Sequence, residues 1–243
     1  MQPNVLPLSS VINLRDLGEL VGYQGRKIKS HRLIRTGDLS QITDKDKNFL
    51  SGYGLTKIID LRSKSERDRH PDPLIKNVEN ISLPLSQENG TLGDASNLGN
   101  ADKLYHQDLN AALQMMCDHY QDHIITEFDQ KIVVQVLQIL AETKDGAVIY
   151  HCTEGKDCTG FVNFFVLYIL GFDLEIIRQD YLASNFILNE YRAKRDEKLK
   201  QAGENLIFRS NMRVLSSVSD TLFDIILLTI EEKFDGIENY LSK

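Results

Sequence analysis

The chain is poor in cysteine, has no excess of basic residues and contains no long apolar run. Its three cysteines, Cys117, Cys152 and Cys158, are an odd number in 243 residues. That excludes a disulfide framework and fits a reducing compartment. Lys and Arg total 28 against 35 Asp and Glu, a formal net charge of −7. This balance excludes broad binding to nucleic acid or to an anionic membrane, both of which need a basic face. An anionic ligand must instead be drawn in by a local cluster of donors. The longest apolar runs, such as FFVLYIL, are far too short to span a bilayer, so no stable membrane insertion is expected. The amino-terminal MQPNVLPLSS has no basic segment followed by an apolar run, hence no Sec-type signal. A cytoplasmic protein is expected, with a signal-less route the one path left for export. No repeat, low-complexity segment or interdomain linker interrupts the chain, and nothing in it sets an oligomeric state.

What is present suffices for an ordinary core: 42% of residues are apolar and 26% charged, as in soluble globular domains. Glycines 18, 22 and 25 predict an early β-hairpin in LGELVGYQGRKIK. Thr43, with Asp46 three residues on, opens a helix that stops at Gly52 or Gly54. LTKIID predicts a buried strand ending near Asp60, and ENISLPL another. SQENGTLGDASNLGNAD reads as a mobile loop or lid. Residues from about Tyr105 to Thr143 are helical in pattern, broken near His123. DGAVIYHC is a strand buried on both faces, and TGFVNFFVLYILG a central helix. LEIIRQDYLAS, the strongly charged NEYRAKRDEKLKQAG, SSVSDTLFDIILLTIEEKF and GIENYL complete the set as helices. Strands separated by helices predict an α/β fold with a mainly parallel central sheet. A single domain over 1–243 is expected, with a helical cap or extension at about 172–243.

The chemistry concentrates between Val148 and Gly171. Cys152 follows a buried strand, at the carboxyl edge where open α/β sheets bind ligands. The chain then turns into a helix near Thr159, so the N–H groups of Thr153 to Cys158 can form an anion nest at a helix N-terminus. The positive end of that helix favours a thiolate, and a thiolate beside a phosphate cradle is a nucleophile aimed at phosphorus. An isolated cysteine is more often a small buried hydrophobe. The run of His, Cys, Gly, Lys, Asp, Thr and Gly between strand and helix outweighs that reading. A Walker A loop is excluded by Tyr150 and by Asp157 after Lys156, and Cys152 and Cys158 lack the CxxC spacing of a zinc site.

HCTEGKDCTG resembles the HCxxGKDRTG signature of bacterial atypical cysteine-dependent tyrosine and dual-specificity phosphatases, a branch that also acts on phosphoinositides. INLRDLGEL, RLIRTGDLSQIT, IIDLRSKSER, DYLASN and GIENYL are similar to further segments of that branch. The resemblance therefore covers nearly the whole chain. It implies a phosphotyrosine-phosphatase-like fold and phosphate monoester hydrolysis on a phosphorylated protein or phosphoinositide. It implies Cys152 as nucleophile, His151 lowering its pKa, Thr159 holding the leaving thiolate and Asp157 as general acid. Thr153, Glu154, Gly155, Lys156 and Gly160 would bind phosphate, with Lys156 adding charge for multiply phosphorylated substrates. No metal or organic cofactor is expected, because nucleophile and acid suffice.

One position departs from the signature. Cys158 stands where the family has an arginine that forks onto two phosphate oxygens, and a thiol offers one weak donor and no charge. Loss of such an arginine costs on the order of 10³–10⁵ in rate, so impaired turnover is expected, or a silent phosphate-binding module as the alternative. An intraloop Cys152–Cys158 disulfide is a third reading. Asp60 is a second candidate for acid/base work, and with Arg62 is expected to buttress the loop. Arg67 and Arg69 read as a solvated face. Arg15, Arg32 and Arg35 either line the anion site or form structural ion pairs. His119 and His123, near Cys117, have zinc-compatible spacing without a second ligand cluster, and so read as surface or core histidines. Tyr181 and Tyr191 read as packing residues.

Overall fold

The computed structural model describes residues 3–85 and 99–242. Most of the segment read as a lid lies outside the described residues. Six strands form one sheet in the order β1-β2-β3-β6-β4-β5: β1 (Asn4–Val5), β2 (Arg15–Asp16), β3 (Leu33–Thr36), β4 (Leu55–Asp60), β5 (Glu79–Ser82) and β6 (Ala147–His151). The pairs β3–β6, β6–β4 and β4–β5 are parallel, and the two amino-terminal pairs antiparallel. The fold is therefore α/β with a mainly parallel sheet. The helices are α1 (Asp44–Gly52), α2 (Lys64–Arg69), α3 (Gly99–Tyr105), α4 (Ala111–Ile125), α5 (Glu127–Glu142), α6 (Cys158–Ile169), α7 (Leu174–Ile187), α8 (Asn189–Gln201), α9 (Leu206–Leu215), α10 (Asp220–Phe234) and α11 (Ile237–Leu241).

The central strands carry two cores because successive side chains point to opposite faces. Ala147 and Ile149 join Ile34, Ile58 and Leu50 on one side. Val148 and Tyr150 join Ile59 and the helices α4, α5, α6 and α10 on the other. Such two-sided burial accounts for the continuous apolar run of β6. Helix α6 is buried from Cys158 through Leu167, and its Phe164 meets Phe223 of α10 edge-on. The helices beyond residue 172 thus share the core that covers the sheet.

The predicted hairpin is reduced to a single bridge, Val21 to Lys27, around the short 3₁₀ turn Tyr23–Gly25. Thr43 caps α1 by accepting from the Asp46 N–H, but the Asp46 carboxylate turns to Ser10 instead of closing a capping box. Helix α2 has the full box instead, between Ser63 and Glu66. The break in the 105–143 segment falls at Thr126. Helix α9 has no counterpart in the sequence reading. No described helix is long and apolar enough to cross a membrane.

Candidate active site

The loop between β6 and α6 is shaped from behind. The Thr153 carbonyl accepts from the Asp38 N–H at 2.9 Å. Asn13 Nδ2 donates to the Glu154 and Gly155 carbonyls at 3.0 and 2.9 Å, and Arg35 donates to Gly155 at 2.9 Å. Across a trans peptide the N–H points opposite to the preceding C=O. The N–H groups of Glu154, Gly155 and Lys156 therefore face away from this scaffold, as an anion nest requires. Gly155 has φ +67°, and a Cβ there would lie 2.3 Å from the Thr36 carbonyl oxygen. Only glycine fits that turn. At Gly160 a Cβ would meet Tyr181 at 2.9 Å, so α6 sits close against α7.

The scaffold is itself ion-paired. Asp180 on α7 receives Arg15 Nε at 2.9 Å and Arg35 at 2.6 Å, and all three are buried. Arg15 and Arg35 thus stand behind the loop in structural pairs. Arg32 donates to the carbonyls of Thr143 and Lys144 after α5.

Cys152 lies at the foot of the loop, 3% exposed. Its pKa is lowered to about 6, chiefly by a hydrogen bond from the Cys158 thiol and then by the hydroxyl and N–H of Thr159, against burial and Asp157. By geometry the buried Thr159 hydroxyl has no hydrogen-bond partner among the described residues, which leaves it free to turn to the Cys152 sulfur. The same contact with Cys152 holds the Cys158 thiol well above its ordinary value. Both shifts favour a thiolate at Cys152 with Cys158 as the thiol donor.

His151 is fully buried, with Nδ1 3.2 Å from the Cys152 carbonyl and Nε2 2.9 Å from Asp72. Both partners are acceptors. Burial would lower its pKa, but Asp60 and Asp72 outweigh that and raise it. Asp60 lies 3.9 Å from His151 Nε2 and takes Arg62 through both oxygens. Arg62 also reaches Asp38 and Asp72. These residues underpin the loop from the sheet edge. Thr153 donates to Glu66 at 2.5 Å. Of the charge run, Arg67 is half-buried and donates to the Arg62 carbonyl, whereas Arg69 is exposed.

In front of the loop is a cavity of about 110 Å³, lined by Met116, His119, Cys152, Thr153, Glu154, Lys156, Asp157, Cys158, Tyr191, Arg195 and Leu215. Asp157, at the N-terminus of α6, accepts from Tyr120 at 3.0 Å and pairs with Lys156. Lys156 is buried; its Nζ also donates to the Leu215 carbonyl at 2.6 Å and lies 3.6 Å from Glu154. Desolvation would lower the Lys156 pKa, but Asp157 and Glu154 more than offset it, so the amine stays charged. Tyr181 is buried against Tyr120, O to O 2.8 Å, as a packing residue. Tyr191 is not one: it lines the cavity and donates to Glu154 at 3.2 Å. Arg195 was missed by sequence reasoning. Its guanidinium lies 3.2 Å from Glu154 and 2.9 Å from Ser216. Helix α8 is strongly charged and has no apolar stripe, so its sequence does not mark which face meets the cavity.

A lowered-pKa cysteine at the foot of an inward-facing peptide loop, with a carboxylate and a buried histidine at hand, is the arrangement of the class of cysteine-dependent phosphate sites. The tyrosine phosphatase family model matches residues 6–243, and the chain belongs to that family. It is 28% identical over 214 residues to the triple specificity protein phosphatase PtpB of Mycobacterium tuberculosis, covering 81% of this chain and 75% of that one. It is 30% identical over 175 residues to a tyrosine-protein phosphatase of Nostoc commune, covering 70% of this chain and 54% of the other. Among solved structures, P. aeruginosa TpbA aligns with a TM-score of 0.36 and 13% identity over 84% of this chain and 89% of its own.

Proposed function

We propose that this chain hydrolyses phosphate monoesters of phosphotyrosine, and of phosphoserine, phosphothreonine or phosphoinositides, at a rate held down by Cys158. The observation that carries the reading is the loop geometry: the Thr153, Glu154 and Gly155 carbonyls are tied back by Asp38, Asn13 and Arg35, with Cys152, its pKa lowered to about 6, at the foot. The Cys152 sulfur attacks phosphorus, an S–P bond forms and the ester P–O bond breaks. Asp157, once protonated, delivers that proton to the departing oxygen. Water then attacks phosphorus, the S–P bond breaks, the water's proton returns to Asp157, and Thr159 steadies the released Cys152 thiolate. Peptide N–H groups of residues 153–158 hold the equatorial oxygens. Without the arginine, the charge gained in the transition state rests on those dipoles and Lys156. The protein acts as one domain over 1–243 in a reducing cytoplasmic setting. The test is hydrolysis of an aryl phosphate by wild type and Cys152→Ser, and equal turnover in both would overturn the reading.

A silent phosphate-binding module is the second reading, favoured by the thiol at position 158. Calorimetric binding of a phosphopeptide without detectable turnover would establish it in place of the first.

A further inference from the structure

The thiol at position 158 has a second set of neighbours. On α4, His119 and His123 lie one turn apart, with ring centroids 4.1 Å from each other. One ligating atom each from His119, His123 and Cys158 fall within 4.8 Å of one another. A tetrahedral zinc with Zn–N near 2.0 Å and Zn–S near 2.3 Å spaces its ligand atoms roughly 3.3–3.8 Å apart. Binding would draw these atoms the remaining distance together. His123 is 1% exposed, and its Nε2 has no hydrogen-bond partner among the described residues. A buried imidazole nitrogen without a partner costs about 1–3 kcal/mol, and ligation would satisfy it. Its other nitrogen, Nδ1, is held by Asp129 at 2.7 Å. That is the carboxylate–histidine arrangement that orients a metal-binding imidazole and leaves Nε2 as the ligating atom.

We propose that His119, His123 and Cys158 form a binding site for a borderline-soft divalent cation such as zinc. Binding forms a metal–sulfur bond and releases the Cys158 proton to solvent. His119 and Cys158 both line the cavity that holds Cys152, so the ion has an entry path. The positive charge of Lys156 is matched by Asp157 and Glu154. The other close cluster, Asp60, Asp72 and His151, differs because Arg62 already pairs with both of its carboxylates. The thiol that removes the family's arginine thereby supplies the ligand the two histidines lack.

The full chain, reduced and stripped of metal, is titrated with Co²⁺ and, by competition with a chromophoric chelator, with Zn²⁺. One equivalent is expected to bind, with a thiolate-to-cobalt charge-transfer band and tetrahedral visible bands. Cys158→Ser and His119→Gln should abolish the charge-transfer band and the tetrahedral bands respectively. Each should also weaken zinc binding by more than the roughly 10–100-fold typical for losing an outer carboxylate. Asp129→Asn should cost that smaller factor while leaving the thermal melt cooperative, and it keeps the proposal testable where His123→Ala does not fold. Cys152→Ser should keep both binding and charge-transfer band. Zinc affinity unchanged in Cys158→Ser and His119→Gln would overturn the proposal. So would loss of binding in Cys152→Ser alone, because the ion would then sit on the nucleophile. These readouts involve no turnover, so they stand whether or not the chain hydrolyses phosphate esters.

Discussion

Behind the loop, Arg15 and Arg35 share Asp180, and Arg62 is gripped by Asp38, Asp60 and Asp72. In front of it two thiols meet, and the remaining cations, Lys156 and Arg195, lean on Asp157 and Glu154. Three arginines are thus committed to holding the loop's shape, while the position facing phosphate carries none. Paired, buried charge fixes geometry but exerts little field outward. The cradle is therefore built independently of the group that would stabilise the transition state, and stability and turnover should respond to different substitutions.

The largest effect is expected in front. Cys152→Ser should lower aryl phosphate turnover by roughly 10³-fold or more, since removing a nucleophile is among the costliest changes in an enzyme, with an unchanged thermal melt as control. Next, behind the loop, Asp180→Asn leaves two buried arginines without a countercharge and should cost about 3–5 kcal/mol of stability, read from the urea midpoint. Burial opposes ionisation of Asp180, but Arg15 and Arg35 overcome it and hold its pKa below 3.8. Its contribution is thus fully present above that pH and is lost as pH falls further, and the variant should lack this acid-sensitive part. Cys158→Arg should raise kcat/KM by at least about 10²-fold, the low end for restoring a transition-state donor. The gain should vanish when Cys152→Ser is added. If Cys158→Arg folds and gains nothing, front and back are not separable as argued.

Smaller effects sharpen the same contrast. Alkylation of Cys152 by iodoacetamide should rise with pH to a half-maximum near the lowered value of about 6. In Cys158→Ala it should move up by about one pH unit, the weight of a hydrogen bond of about 1 kcal/mol. The smallest is Arg195→Ala. Its partly exposed pairing with Glu154 is worth at most about 1 kcal/mol, so a rise in KM of no more than about five-fold is expected.

The continuous apolar run of β6 and the all-round apolarity of α6 made the sheet and its central helix legible, and the loop's residue run pointed to Cys152. Helix α9 escaped because its buried stripe, Phe208, Asn211, Met212 and Leu215, has the helical spacing but is interrupted by an asparagine. The Asn211 side chain donates to the carbonyls of Tyr105 and Asp108, a polar core role that hydropathy cannot register. The pairing of Arg15 and Arg35 with Asp180 spans 165 and 145 positions. Nothing local in the chain separates such a pair from an anion-binding arginine. Cys158 was visible at once as a missing arginine. Its proximity to His119 and His123 was not, because it depends on how α4 crosses the start of α6.

Asn13, a non-glycine residue at φ 54°, reaches the Glu154 and Gly155 carbonyls together. By tying those oxygens back it sets the direction of the peptides before any ligand arrives. Peptides already held in place would leave an incoming anion less of the loop to order and so lower the conformational penalty on its affinity. A weakened enzyme built on such a cradle would still capture phosphate promptly, and its slow turnover would then lengthen the residence of the phosphorylated molecule it holds.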